Sequence, residues 1–201
     1  GVRQSGMAML RTPGMKQAMY SSLAVLSSMD ILTAYLPVLG ERSGIGVGTV
    51  TALLTARTLA SMLSRLLLSH LVRWVDRQVL LVMATLCSAI PIALIPIVPV
   101  PSALLMFMLV AGFFMGVGQP LTMTWVVRLV SSHDRAAALS LRLSGNRLGQ
   151  VVVPDLAGAL AGATGVGAVF GLTGALLGAA AAFTARAPAP APDVPARCRT
   201  S

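Results

Sequence analysis

Charged side chains are scarce in this sequence of 201 residues, making up only 10% of it. Water-soluble domains carry about 25% charged residues. Acidic residues number only 6 against 15 basic ones, aromatic residues reach 4%, and hydrophobic residues reach 56%. At a mean hydropathy of +0.83, no soluble fold of this length buries so much apolar side chain. The composition therefore excludes a soluble domain and predicts a protein whose solvent is largely lipid.

Cysteine and histidine are too few for a disulfide framework, a metal centre or a catalytic set. Cys87 lies in an apolar run, Cys198 lies near the end of the chain, and His70 and His133 lie in predicted cytoplasmic loops. We therefore predict no metal site, no cofactor and no enzymatic activity, with a membrane enzyme as a minor alternative. The net charge of +9 is spread in small groups between apolar runs, which argues against a nucleic-acid partner.

Six apolar runs predict an all-α, polytopic transmembrane helix bundle with six spans. A bilayer core of about 30 Å needs about 20 helical residues, and each run is close to that length. The predicted spans cover residues 17–39, 47–68, 79–98, 103–127, 138–161 and 168–185.

The regions outside the spans divide the chain into three parts. Residues 1–16 are a short cytoplasmic approach, residues 17–186 form the six-helix transmembrane domain, and residues 187–201 are a Pro/Ala-rich cytoplasmic tail. Because alternating proline prevents a helix and carries no core, the tail is expected to be disordered. The chain begins at Gly1 and not at methionine, which suggests a fragment or a processed protein.

Basic residues fall almost entirely on one side of the predicted spans. Positive residues mark the cytoplasmic face, so both termini are expected in the cytoplasm of a cell with the protein in its inner or plasma membrane. The other side carries only Arg42, and Arg57 and Arg147 lie within spans. The residues on the basic side are Arg3, Arg11, Lys16, Arg65, Arg73, Arg77, Arg128, Arg135, Arg142, Arg186, Arg197 and Arg199.

Glycine pairs with three residues between them occur repeatedly in spans four to six. Such spacing lets the backbones of two membrane helices approach closely, so we expect a tightly packed bundle. The pairs are Gly112/Gly116, Gly145/Gly149, Gly158/Gly162, Gly167/Gly171 and Gly174/Gly178.

Charged residues inside the first two spans are candidates for a substrate or ion pathway. A charge in the middle of a bilayer costs about 2.5–3.5 kcal/mol even on the lenient insertion scale, so it normally faces a cavity or a partner. Asp30 in span one and Arg57 in span two lie at similar depth, and an ion pair between them is feasible. Asp30 binds a cation or proton, or Arg57 holds an anionic group; alternatively the pair only fixes helix packing.

Spans four and five supply the remaining pathway candidates. Gln119 precedes Pro120, which marks a possible hinge because proline removes a backbone donor. Gln119 either hydrogen-bonds substrate or bridges helices. The candidates in span five are Asn146, Arg147, Gln150 and Asp155.

Three segments carry a resemblance to a known family. Residues 53–66 look like the eighth helix of the major facilitator superfamily, and residues 112–120 resemble its tenth helix. Residues 134–150 are similar to the loop and start of the eleventh helix in bacterial exporters of that family. Residues 69–78 resemble its basic loop, G-x-L-x-D-R-x-G-R-R, with Ser69 replacing the first glycine. Within that loop, Arg73, Asp76 and Arg77 are candidates for a cytoplasmic gate.

The resemblance implies the carboxy-terminal six-helix half of a secondary transporter, with the amino-terminal half or a second copy as partner. It implies transport of a small-molecule substrate coupled to an ion, most simply a proton, and efflux of a small amphipathic compound by antiport. Two alternatives lie outside that function. The first is a structural one, either a six-helix protein that dimerises or an inactive remnant. The second is the permease subunit of an ATP-driven importer.

Overall fold

The computed structural model describes residues 10–98 and 100–187 and shows an all-helical bundle. Within that part of the chain there are six long α-helices and no strand, which confirms the predicted fold class. The helices are α1 (Met15–Arg42), α2 (Val47–Trp74), α3 (Arg77–Leu94), α4 (Pro101–Arg128), α5 (Arg135–Thr164) and α6 (Val166–Ala185).

Each predicted span corresponds to one helix, and two ends differ from the prediction by four residues or more. Helix α2 continues past residue 68 to Trp74, so most of the predicted basic loop, including His70 and Arg73, is helical. Nothing in that segment breaks a helix, and arginine near a helix C-terminus is favourable. Helix α3 ends at Leu94, before the predicted end at residue 98, because Pro96 has no backbone N–H with which to continue the helical hydrogen bonds.

Short junctions between the helices have recognisable local causes. Asp76 caps α3, accepting a hydrogen bond from the Gln78 backbone nitrogen at 3.2 Å, and Pro101 occupies the first turn of α4, where its missing donor is not needed. Gly165 joins α5 to α6 with a φ of 95°, a conformation that side chains rarely adopt.

Helices α1 and α4 lie at the centre of the bundle. Helix α1 packs against α2, α4, α5 and α6, whereas α4 packs against α1, α2, α3 and α5. Helix α3 packs mainly against α6 and α4. Helices α2 and α5 therefore each contact both central helices.

Glycine allows the closest of these approaches. A Cβ on Gly116 would lie 2.6 Å from the Ser61 carbonyl oxygen, and one on Gly112 would meet the backbone of Arg57, so α2 and α4 touch through their main chains. Gly149 gives the same room to Leu23 of α1. The predicted close packing is confirmed at these positions, whereas Gly171 has open space around it.

Five of the six described helices are long and apolar enough to cross a membrane. Helix α5 has 30 residues, ample for a span, but does not reach the same hydropathy. The reason lies in its sequence, which places Arg142, Asn146, Arg147, Gln150 and Asp155 along one helix. Such a helix needs protein or water against its polar face.

The predicted end segments fall largely outside the described residues. Residues 1–9 and 188–201 lie there, so the predicted disorder of the tail concerns residues whose structure is not described. Met15 and Lys16, assigned to the approach segment, belong to α1. Ala187, the first residue of the predicted tail, is buried, and its carbonyl accepts a hydrogen bond from Gln78 Nε2 at 2.9 Å.

Candidate functional site

Asp30 lies near the middle of α1 and is held by a side chain from α5. Gln150 Nε2 donates to Asp30 Oδ2 at 3.0 Å, and Arg147 Nη1 donates to Gln150 Oε1 at 3.0 Å. The Gln150 amide therefore connects the Arg147 guanidinium to the Asp30 carboxylate through two hydrogen bonds. Three of the sequence-predicted pathway residues are joined in one network between α1 and α5, here called the Asp30 network.

Arg57 reaches α1 from α2 but does not pair directly with Asp30. Its Nη1 donates to the Met29 carbonyl and its Nη2 to Thr33 Oγ1, both at 3.3 Å. The Asp30 carboxylate is close enough to attract the guanidinium through space, yet no direct ion pair forms between the two. The predicted pairing is therefore corrected to a longer-range attraction, because Asp30 turns its oxygen to Gln150 and Arg57 takes neutral oxygens on α1 instead.

Two cavities adjoin Arg57. One, of about 150 Å³, lies between α1, α2 and α4. The other, of about 330 Å³, lies between α1 and α2. Arg57 and Thr58 line both cavities, so the guanidinium stands at the boundary between them. The smaller is also lined by Met29, Ser61, Arg65, Gly112 and Met115, and the larger by Thr33, Thr51, Leu54 and Thr55.

A second polar cluster, here called the Arg142 cluster, joins α4 to α5. The guanidinium of Arg142 donates to Gln119 Oε1 at 2.8 Å and to Thr122 Oγ1 at 3.0 Å, and the residue is only 6% exposed. Gln119 Nε2 donates to the Ser22 carbonyl at 3.4 Å. Gln119 therefore bridges α4 to both α1 and α5. This agrees with the second of its two predicted roles, the bridging of helices.

Asn146 closes the link between α5 and α1. Its Nδ2 donates to Ser22 Oγ at 3.0 Å, and the same hydroxyl lies 3.1 Å from Asn146 Oδ1. Both residues are buried. Asn146 is thus a helix-bridging residue in this conformation, close to Gln119 through their shared neighbour Ser22.

Sequence reasoning missed Arg142 as a site residue, because it counted this arginine only among the positive residues of the basic side. The residue belongs to α5 and its side chain is buried. The available signal was spacing: Arg142 and Asn146 are four residues apart and therefore lie on the same face of a helix. The error followed from counting every arginine near a span end as a topological marker.

The other predicted site residues stand apart from these clusters. Asp155 is exposed on α5 and makes no hydrogen bond to another described residue. Arg73 is exposed near the end of α2, Asp76 caps α3, and Arg77 is the first residue of α3. The neighbouring Gln78 also donates to the Thr184 carbonyl at 3.0 Å, which ties the α2–α3 junction to the end of α6.

The polar groups form a band across α1, α2, α4 and α5, inside a bundle whose remaining interior is mostly apolar with scattered buried serines and threonines. A carboxylate, three amides and three guanidinium groups in this band can bind a proton, a cation or the polar part of a solute. That composition suits passage of a small molecule through the bundle.

The family comparison agrees with this arrangement. The sequence model described as Major Facilitator Superfamily matches residues 18–198, nearly the whole chain. No curated protein matches the sequence. The apolar helices, the central polar band and the match over their full extent together show that the chain is a multi-pass membrane protein that belongs to the major facilitator superfamily, a family of membrane transporters.

Proposed function

We propose that this chain forms one six-helix half of a secondary transporter that exports a small amphipathic compound in exchange for protons. The observation that carries the proposal is the Asp30 network. An acidic side chain in the middle of the central helix α1 is bonded to α5 and attracted by a guanidinium from α2. Coupling of transport to an ion requires a group whose interactions change when either the ion or the substrate binds.

Asp30 is the coupling carboxylate in this proposal. Protonation of Asp30 would remove the attraction for Arg57 and weaken the acceptor that Gln150 uses. Because Gln150 belongs to α5 and Arg57 to α2, loss of the negative charge alters the contacts of two helices at once. Binding of a proton would thereby change how α2 and α5 sit on α1, which is the kind of helix rearrangement that alternating access uses.

A partner of similar size completes the pathway. Arg147 and Asp155 are exposed on α5, and Thr51, Thr55 and Thr58 are exposed on α2. Charges exposed to lipid at this depth are unfavourable, so protein or a water-filled cavity should cover them. We propose that the partner is an amino-terminal six-helix half or a second copy of this chain, with α1 and α4 lining the space between.

The proposed topology follows from the basic residues. Both termini lie in the cytoplasm, and the protein crosses the inner or plasma membrane six times. In this orientation the α2–α3 junction, with Arg73, Asp76 and Arg77, is cytoplasmic and contributes to gating. Its tie to the end of α6 through Gln78 supports coordinated movement of these helix ends.

The role of Asp30 is tested by Asp30→Asn in the intact transporter. Everted vesicles are acidified, the proton gradient is reported by acridine orange fluorescence, and amphipathic compounds are added to find one that dissipates the gradient by exchange. Asp30→Asn should abolish the compound-dependent signal, because the coupling proton has lost its site. Glu41→Gln, an exposed acid on the same helix, should leave it intact.

Exchange by Asp30→Asn with unchanged rate and pH dependence would reject Asp30 as the coupling group. Absence of any compound-dependent signal in the wild-type protein, across cationic, neutral and anionic members of the set, would instead favour a six-helix protein without transport of its own.

A further inference from the structure

The smaller cavity beside Arg57 carries an inference about the ligand. It lies where α1, α2 and α4 meet, has a volume of about 150 Å³, and is lined by two arginines, Arg57 and Arg65. The lining residues include no carboxylate. Asp30, outside the cavity, offsets part of the charge of Arg57, but the two guanidinium groups still leave a net positive charge, which a bound anion would neutralise.

Arg57 has unused capacity for such an anion. Its two hydrogen bonds, at 3.3 Å, are longer than the usual range for nitrogen–oxygen bonds and go to a neutral carbonyl and a hydroxyl. Its Nε is buried and has no acceptor among the described residues. A carboxylate or phosphate oxygen would give shorter, charge-assisted bonds, so an anion can replace the present hydrogen bonds of Arg57.

Arg65 supplies the second positive charge from α2. It is eight residues after Arg57, about 12 Å along the helix and about 80° around it, and both side chains line the same cavity. Arg65 is exposed and makes no hydrogen bond or ion pair to the residues that the structure describes. Its side chain is therefore available to a ligand that enters this cavity.

The cavity is narrow because the helices touch there. Gly112 lines it, and a Cβ at Gly112 would meet the Arg57 backbone. A volume of about 150 Å³ holds a small head group, and the adjoining cavity, an open groove of about 330 Å³, leaves room for the body of the ligand. The second cavity is lined by Leu54 and by four threonines, Thr33, Thr51, Thr55 and Thr58.

We infer that the site takes an organic anion, with its carboxylate between Arg57 and Arg65 and its body against the threonine-lined cavity. The inference rests on the proposed transport function and specifies the charge of the substrate. The threonine hydroxyls donate back to their own helices, so their oxygens accept hydrogen bonds from hydroxyl or amino groups of that body. The substrate class is a small carboxylic acid with hydrogen-bond donors.

Binding of fluorinated probes to the 201-residue chain tests this directly. The chain is placed in nanodiscs of neutral lipid, and ¹⁹F line broadening is compared for 4-fluorobenzoate, 4-fluorobenzamide and 4-fluorobenzylammonium, with empty nanodiscs subtracted. We expect binding of the benzoate to be at least about tenfold tighter than binding of the other two, because charge-assisted bonds add about 1.5–3 kcal/mol.

Variants on α2 locate the site. Arg57→Met and Arg65→Gln should each weaken benzoate binding about tenfold or more, whereas Arg135→Gln, which removes an exposed arginine from α5, should leave it unchanged. Arg65 is exposed, so Arg65→Gln remains informative even where Arg57→Met does not fold. Equal binding of benzoate and benzamide, or an unaltered benzoate affinity in Arg65→Gln, would overturn the inference.

The measurement also separates this inference from the proposed function. Binding is observed without a gradient, so a chain that does not transport by itself can still show the anion preference. Conversely, proton exchange that requires Asp30 but is driven only by cationic or neutral compounds would leave the transport proposal standing and reject the anion site.

Discussion

Asp30 has two distinguishable interactions, and a change of one atom separates them. Asp30→Asn removes the charge that attracts Arg57 but keeps an oxygen that can accept the hydrogen bond from Gln150. Asp30→Leu removes both. The side chain therefore allows charge and hydrogen bonding to be measured independently at one position.

Double-mutant cycles should show this difference. With Asp30→Asn, the coupling to Arg57→Met should be about 1 kcal/mol or more, so that loss of Asp30 partly rescues loss of Arg57. With Asp30→Asn, the coupling to Gln150→Leu should stay below about 0.5 kcal/mol, rising to about 1 kcal/mol with Asp30→Leu. Unfolding of the chain in mixed micelles by SDS provides the free energies. Complete independence of Asp30 and Arg57 would contradict the arrangement described.

These side chains also show how far a sequence can locate a site. Charges within apolar runs identified Asp30, Arg57 and Arg147, because the cost of burying a charge holds whatever the fold. Their partners depended on the rotation of each helix and the side-chain conformers, which set Gln150 against Asp30. Arg142 was missed because its depth within α5 depends on where that helix begins.

The α2–α4 interface depends on glycine at two positions of α4. Gly116→Ala should destabilise the chain by about 1–3 kcal/mol, because the added Cβ would lie 2.6 Å from the Ser61 carbonyl oxygen, a backbone atom that cannot move away alone. The same SDS titration measures the loss. Gly171→Ala on α6 is the matched control, since its Cβ meets nothing within 4 Å; it should be neutral or stabilising by up to about 1 kcal/mol.

Equal effects of Gly116→Ala and Gly171→Ala would show that close packing at Gly116 does not control the stability. A larger loss at Gly116 would agree with direct contact between the two backbones. Because Ser64 Oγ also lies against Gly116, Gly116→Ala combined with Ser64→Ala should still be destabilised by the carbonyl contact.

Helix number and order were predictable, whereas helix ends and roles were less so. Six apolar runs of suitable length gave the six helices, because hydrophobic length is set by the bilayer. The end of α2 at Trp74 was not predictable from hydropathy, because a helix continues past its hydrophobic region wherever no helix-breaking residue stops it. Glycine spacing did not separate Gly116, at a contact, from Gly171, in open space, because both have the same pattern.

The molecule as a whole combines an apolar bundle with one comparatively polar helix. Helix α5 falls short of the hydropathy of the other five helices, yet it supplies Gln150 to the Asp30 network and Arg142 to the cluster with Gln119. If α5 crosses the membrane, its polar face lies within the bundle and beside the proposed partner. The transport proposal and the orientation both depend on that crossing.

Accessibility of the two ends of α5 tests this dependence most directly. Cys87 and Cys198 are replaced by serine, and single cysteines are introduced as Arg135→Cys and Thr164→Cys, at exposed positions at the two ends of α5. Intact cells are then treated with a membrane-impermeant maleimide. We predict labelling at position 164 from outside and labelling at position 135 only after the membrane is opened. Labelling of position 135 in intact cells, or of both positions from the same side, would contradict the account.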